Sequence, residues 1–342
     1  MVSLLAVAPI LAPAYEPWSV EKALEWGKRQ PWIVGCNFSP STASNQLEFW
    51  QAETFDLPTI DRELGFAAGI GMNAVRVYLH DLAYEQDPKG MKERMERFLA
   101  AAKRHGIRTL FVIFDDCWNP GAKPGPQAAP IPGVHNSRWL QSPGHAVGND
   151  PANWPRLERY VKDVVGTFKS DERVLGWDVF NEPGNGGQGR KSEPLLRKAF
   201  EWAREAGAQQ PLTCGAWGAD REFDEIMLDL SDVLTFHCYS SPADMRGWIE
   251  RLEKRGRPAI CTEWLARSAG QKVEEILPIL HDAKVGAMNW GLVAGKTNTK
   301  YPWGSKEGSG EPDPWFHELF HPDGRPYRTE EAAVFRRLTG KG

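Results

Sequence analysis

The chain has 342 residues, 41% apolar, 25% charged and 11% aromatic, enough to bury the core of one large domain. A net charge of −4 without a basic block argues against a nucleic-acid partner. The five cysteines are odd in number and form no CxxC pair, so neither a disulfide framework nor a zinc site is indicated; they are expected as small buried apolar residues.

Residues 1–14 carry an apolar stretch ending in Ala12-Pro13-Ala14, an A-x-A-like site, with no charged leading region. The stretch is too short to span a bilayer, and no other segment is a transmembrane candidate. Export to a secreted or periplasmic location is the expectation. The alternative is a cytoplasmic protein with an apolar arm packed on the domain. Residues 1–31 are thus assigned to an arm or signal remnant plus a leading helix, and residues 32–342 to the main domain.

Short runs rich in β-branched and aromatic residues predict strands over 32–38, 74–79, 108–115 and 174–182 in the first half. Further runs predict strands over 211–217, 233–239, 258–264 and 286–293. Amphipathic helices are predicted between and after them, over 59–71, 90–106, 154–171, 193–207, 220–230, 242–256, 271–284 and 328–338. The first opens on Thr59 as a candidate cap and the second ends on Gly106. Near-continuous apolar strands imply a parallel sheet covered on both faces. Eight such strand–helix units point to a single-domain α/β fold, a closed (β/α)8 TIM barrel. An open doubly wound sheet would more often carry a Gly-rich phosphate turn after its first strand, and "GCNFSPSTA" is not one.

Two connections that follow strands are long, 116–153 and 294–315. In a barrel of this kind the loops after strands build the active face. The first holds Trp118, His135 and Trp139 among many Pro and Gly residues. It is placed to close one end of a cleft, which would favour short or terminal substrates.

Strand four ends in Asn181-Glu182 and strand seven in Glu263, so two carboxylates meet across the barrel mouth. Glycosidic cleavage needs such a pair. One carboxyl donates a proton to the leaving oxygen, and the other, ionised, attacks the anomeric carbon or steadies its positive charge. A gap of about 5–5.5 Å means retention and roughly 6.5–9.5 Å inversion. On strand two, Arg76, Tyr78 and His80 share one face by the period-two rule. An inward Arg76 demands a carboxylate partner, and Glu263 is the candidate, kept ionised by the pairing. His237 and Tyr239 share a face on strand six, from which they can hydrogen-bond carboxylates or hydroxyls. An inward Trp290 on strand eight would floor one sugar ring, and the fifteen tryptophans suit stacking on sugars as well as core filling. Asn37, Asp116, Trp118 and Trp264 lie at or just past strand ends and complete the candidate set with His80.

The segments "AVRVYL", "WDVFNEP", "FHCY", "CTEW" and "MNWG" resemble the retaining (β/α)8 glycoside hydrolases with an Asn-Glu-Pro motif, particularly the cellulase-like family 5. The resemblance runs from about Trp32 to Leu338. It implies Glu182 as acid/base, Glu263 as nucleophile and Asn181 as the amide holding the substrate 2-hydroxyl or steadying the covalent intermediate. It further implies Arg76 beside the nucleophile, His237 and Tyr239 positioning acid/base and nucleophile respectively, and Trp290 beneath the sugar preceding the scissile bond. No cofactor is implied. The expected partner is a β-linked oligo- or polysaccharide of glucan, mannan or xylan type, acted on by a monomer. The chain departs from the family where it reads Phe114-Asp115-Asp116-Cys117-Trp118 in place of a histidine-containing segment, a role His80 or His135 could take. Transglycosylation on the same site, or a carbohydrate-binding barrel without catalysis, are the competing readings.

Overall fold

The computed structural model describes residues 15–341. The expected export segment, residues 1–14, lies outside the described residues. Parallel strands run around a barrel in the order β5-β4-β3-β2-β1-β9-β8-β7-β6. They are β1 (Val34–Asn37), β2 (Ala74–Tyr78), β3 (Arg108–Asp115), β4 (Val174–Asn181), β5 (Leu212–Thr213), β6 (Gly215–Ala216), β7 (Leu234–His237), β8 (Ala259–Glu263) and β9 (Gly286–Trp290). The expected fifth strand, 211–217, is therefore two short ladders broken at Cys214. Its amide N–H turns to the Ser231 hydroxyl at 3.2 Å and leaves the sheet. Eight staves remain, the fifth in two pieces.

Helices cover the outside, with ends set by capping. The helix predicted from Thr59 begins at Leu57, because Asp56 accepts the Thr59 N–H. The helix predicted from Gly90 begins at Pro88, capped by Asp87 and with proline in its first turn. Short helices at Gln46–Trp50 and Asp81–Gln86 escaped the pattern because one turn or so of helix shows no periodicity. No helix among the described residues is long and apolar enough to cross a membrane.

The barrel interior changes character along its axis. At the floor Ala74, Leu110, Val233, Ile260 and Met288 pack together, and Trp18 and Trp26 from the leading segment cover them. One level up stand Arg76 and Asp178, both without solvent contact. Tyr78, Val112 and Trp290 follow toward the mouth. The leading helix, Val20–Lys28, is tied down through Asp232. This buried carboxylate accepts the N–H groups of Trp18 (2.6 Å) and Leu212 (2.7 Å) and pairs with Arg204.

Truncating Asp232 to Ala strands two backbone donors and a guanidinium. A stability loss of about 3 kcal/mol or more is expected in urea unfolding. A loss under about 1 kcal/mol would show these contacts to be incidental.

Candidate active site

Two backbone irregularities aim the two carboxylates. The β7–β8 register pairs Phe236 with Cys261 and then His237 with Glu263, skipping Thr262. That slip turns Glu263 inward although the floor residue Ile260 lies three positions earlier, an odd spacing for one face of a strand. At the end of β4, Glu182 takes φ of 42°, a left-handed conformation costly for a residue with a β-carbon. The turn beyond it closes at Gly184 (φ 91°), where a β-carbon would come within 2.7 Å of the Gly189 carbonyl oxygen.

His237 stands between the two. Its Nδ1 is 2.7 Å from Glu182 Oε1 and 3.5 Å from Glu263 Oε2. One oxygen of each carboxylate and a His237 nitrogen lie within 4.8 Å of one another. Glu263 accepts from Arg76 Nη1 (2.6 Å) and the Tyr78 hydroxyl (2.8 Å) at Oε1, and from the Tyr239 hydroxyl (3.0 Å) at Oε2. Burial, reinforced by Glu263, raises both tyrosine pKa values and keeps these groups as donors. Glu182 accepts from Asn185 Nδ2 (2.6 Å) and the Cys117 thiol (3.3 Å) at Oε2. Burial pushes the Glu182 pKa up, but the His237 bond and charge, with Cys117 and Asn185, outweigh it and hold the carboxyl below the ordinary range.

Arg76 is the hub behind the pair. Its Nε and Nη2 both reach Asp178 Oδ2 (2.9 and 2.8 Å), Nη2 also reaches Asn181 Oδ1 (2.7 Å), and Nη1 reaches Asn37 Oδ1 (2.9 Å). Burial opposes its charge, yet Tyr78, Asp178 and Glu263 more than offset that, and Arg76 stays protonated. Asn181 donates onward to Asp115 Oδ1 at 2.9 Å. Burial raises the Asp115 carboxyl to about 7 despite its bonds from Asn181, Trp139 and Cys117.

A cavity of about 710 Å3 opens over the carboxylates, and Asn181, His237, Tyr239, Trp290 and Trp118 line it as expected. Four of the remaining candidates stand elsewhere. His80 is fully buried: the chain leaves β2 after Tyr78, and its Nδ1 caps the helix Asp81–Gln86 by accepting the Leu82 N–H. Asp116 faces away and accepts from Ser192 Oγ (2.5 Å) and the Gly184 N–H (2.8 Å), bracing the turn that carries Glu182. Trp264 fills the core outside the barrel wall, with no exposed surface. Asn37 sits behind Arg76 and touches Glu263 only through it.

Sequence reasoning missed Asp178, Asp115 and the contact of Cys117 with Glu182. The signal for Asp178 was a lone acid within an apolar strand, the complement of the lone Arg76. All five cysteines are buried and free, but Cys117 has a polar role. Besides Trp118 and Trp290, the cavity gathers Trp139, Trp217, Trp248 and Trp303, so a large share of the tryptophan load serves the cleft. The Glu182, His237 and Glu263 group is spaced to hold a metal ion. Arg76, pressed against Glu263, would oppose a second cation there.

A parallel barrel with two carboxylates joined by a histidine at the carboxyl ends of its strands defines a glycosidase. The family model "Cellulase (glycosyl hydrolase family 5)" matches residues 41–295, and the chain belongs to that family. No curated protein matches it in sequence. Among solved structures, a GH5_18 protein from Streptomyces cattleya in complex with Manβ1-4GlcNAc is 15% identical with a TM-score of 0.64, over 90% of this chain and 80% of that one. An exo-β-1,4-mannosidase from Opitutaceae bacterium strain TAV5 is 18% identical with a TM-score of 0.61, over 90% of this chain and 60% of that one. An endo-β-1,4-mannanase from Thermotoga petrophila is 14% identical with a TM-score of 0.58, over 90% of this chain and 76% of that one. These likenesses show the fold.

Gly215 backs the His237 ring: a β-carbon there would lie 2.6 Å from Nε2. Gly215→Ala is expected to tilt the imidazole off Glu182 and lower glycosidase turnover at least tenfold, with a stability cost of about 1–3 kcal/mol. Parallel activity and melting measurements check this, and full activity would contradict it.

Proposed function

We propose that this enzyme is a retaining β-glycoside hydrolase acting on β-linked glucan, mannan or xylan-type chains, with Glu263 as nucleophile and Glu182 as acid/base. The observation that carries the reading is the close approach of the two carboxylates, one oxygen of each within 4.8 Å of the other and His237 reaching both. An inverting enzyme needs roughly 6.5–9.5 Å between its carboxyls to admit a water, and a retaining one about 5–5.5 Å. The fold neighbours are named as mannosidases and mannanases, which puts β-mannosides first among the substrates to test.

In the first step an ionised Glu263 oxygen bonds to the anomeric carbon. The bond to the leaving oxygen breaks, and that oxygen takes the proton from Glu182. Arg76 and the two tyrosine hydroxyls hold the attacking carboxylate in place. In the second step Glu182, now a carboxylate, takes a proton from water while the water oxygen attacks the same carbon and the ester to Glu263 breaks. Two inversions give net retention. Asn181, held by Arg76 on one side and Asp115 on the other, presents its amide to the 2-hydroxyl, and Trp290 supports the ring.

Glu182→Ala and Glu263→Gln should each lower turnover by about 10²–10⁴-fold or more. Azide should restore turnover of activated substrates in Glu182→Ala and yield a glycosyl azide of retained configuration. Full activity in either variant, or an inverted product, would overturn the assignment.

Glu182 must carry a proton for the first step, and its free-enzyme pKa is held low. The protonated form is lost as pH rises through that value, so kcat/KM should already fall on its basic side in the acidic range. His237→Asn removes the foremost group holding it down, and the limb should move to higher pH. A pH–rate profile with the limb unmoved would take Glu182 out of the acid role.

A further inference from the structure

The end of the cavity away from Glu182 is closed by two loops that hold each other. The loop after β3 and the loop after β9 share a row of hydrogen bonds. The Asn136 N–H donates to the Thr297 carbonyl (2.8 Å), and the Gly308 N–H donates to the Pro132 carbonyl (2.9 Å). Asn298 Nδ2 donates to the Ile131 carbonyl (3.0 Å), and the His135 N–H donates to the Ser305 hydroxyl (3.0 Å). His135 stands inside this wall, its ring 5.4 Å from that of His317, with Trp118 on another side at 5.2 Å.

Both imidazoles are pinned in one tautomer. His135 Nδ1 lies 2.6 Å from the Tyr301 carbonyl oxygen, and His317 Nδ1 bonds the Leu265 carbonyl oxygen. A carbonyl oxygen only accepts, so each Nδ1 carries the proton. Burial, opposed by the carbonyl bond, lowers the His135 pKa to about 4. Burial also lowers that of His317 well below its ordinary value, so both rings are neutral near pH 7. Each Nε2 is then an acceptor without a partner among the described residues, on two side chains that line the cavity. Asn136 lines it too, 1% exposed, and neither Oδ1 nor Nδ2 has a partner. Native proteins rarely leave buried polar groups unmatched, and the Asn136 amide is one such group. With two unpaired imidazole acceptors lining the cavity beside it, this closed end points to a hydroxyl-rich ligand.

We infer that this end wall receives the non-reducing terminal sugar of the substrate, with His135 and His317 accepting from its hydroxyls and Asn136 completing the contact. The enzyme therefore removes single sugars from chain ends and does not cut internally. The inference rests on the proposed retaining mechanism for one point only, which side of the cleft holds the glycone. Tyr239, the partner of Glu263, packs on Trp303 (5.0 Å) and His317 (5.7 Å), whereas Glu182 is tied to Asn185 on the opposite side. In a 1,4-linked chain, C1 and O4 lie at opposite ends of the ring. A glycone with C1 at Glu263 thus directs its O4 into the wall, and a longer chain would have to pass through His135.

The test uses β-1,4-linked hexasaccharides of mannose, glucose and xylose tagged at the reducing end. The first tagged product should be the pentasaccharide, released with free monosaccharide; a shorter tagged product appearing first overturns the inference. His135→Ala should raise KM at least tenfold and admit internal products, while His135→Gln, which keeps an acceptor, should recover part of the loss. An unchanged KM and product pattern in His135→Ala overturns the wall assignment. Binding to the Glu263→Gln protein, followed by tryptophan fluorescence, separates this from the chemistry: methylating the terminal 4-hydroxyl should weaken binding at least tenfold. Equal binding of free and methylated ends overturns end recognition. Tenfold discrimination by a protein that cleaves none of the hexasaccharides would overturn the hydrolase reading and leave end recognition standing.

Discussion

Arg76 carries its guanidinium to the middle of the barrel, where it has no contact with solvent. A charge in that position is tolerable only if its donors are met with good geometry. Here two carboxylates, two amide oxygens and a phenol meet them. The five acceptors come from four strands: Asn37 from β1, Tyr78 from β2, Asp178 and Asn181 from β4, Glu263 from β8. One cation thus gathers the strand ends that form the cleft, and the orientation of Glu263 follows from where Asp178 holds the guanidinium. A lysine would supply charge without the planar fork that reaches several strands at once.

The two carboxylates differ in the groups that meet them. Glu263 accepts from a guanidinium and two tyrosine hydroxyls. Glu182 meets an imidazole, a thiol and an amide, and stands on a strained residue at the rim, 13% exposed. A rigid strand end presents one group and a tense turn the other. The turn itself is braced from behind by Asp116, whose carboxyl burial raises to about 6 in spite of bonds from Ser192 and Gly184.

Much of this was legible in the sequence because the barrel repeats one simple unit and its strand ends carry uncommon residues in apolar runs. Asn181-Glu182, Glu263, Arg76, His237, Tyr239 and Trp290 were visible for that reason, and the structure brings them together. The period-two rule placed Tyr78 correctly and failed at His80, because a helix cap took over once the strand ended. Adjacent Asp115 and Asp116 could not be told apart by pattern, and their opposite directions depend on the antiparallel bridge from Asp115 to Ser142 in the following loop. Trp264 follows a catalytic-type residue, but the strand alternation sends it outward. The loop-to-loop wall was out of reach, since its bonds join segments more than 150 residues apart.

The break at Cys214 leaves the fifth stave paired with β4 through its first half, β5, and with β7 through its second, β6. Glu182 follows β4 on one side of that stave, and Glu263 ends β8, the strand beyond β7 on the other. Below Gly215 this stave meets the β7 side largely through side chains, Thr213 to Thr235 (2.7 Å) and Cys214 to Ser231, with one backbone bond from Asp232 to Leu212. Side-chain bonds yield more readily than an unbroken ladder, so the barrel has a built-in hinge line. Widening it would part the carboxylates, which stand on the strands to either side. The spacing on which the chemistry depends is thus set by the stiffness of one interrupted stave, and by the His237 ring that spans the two sides.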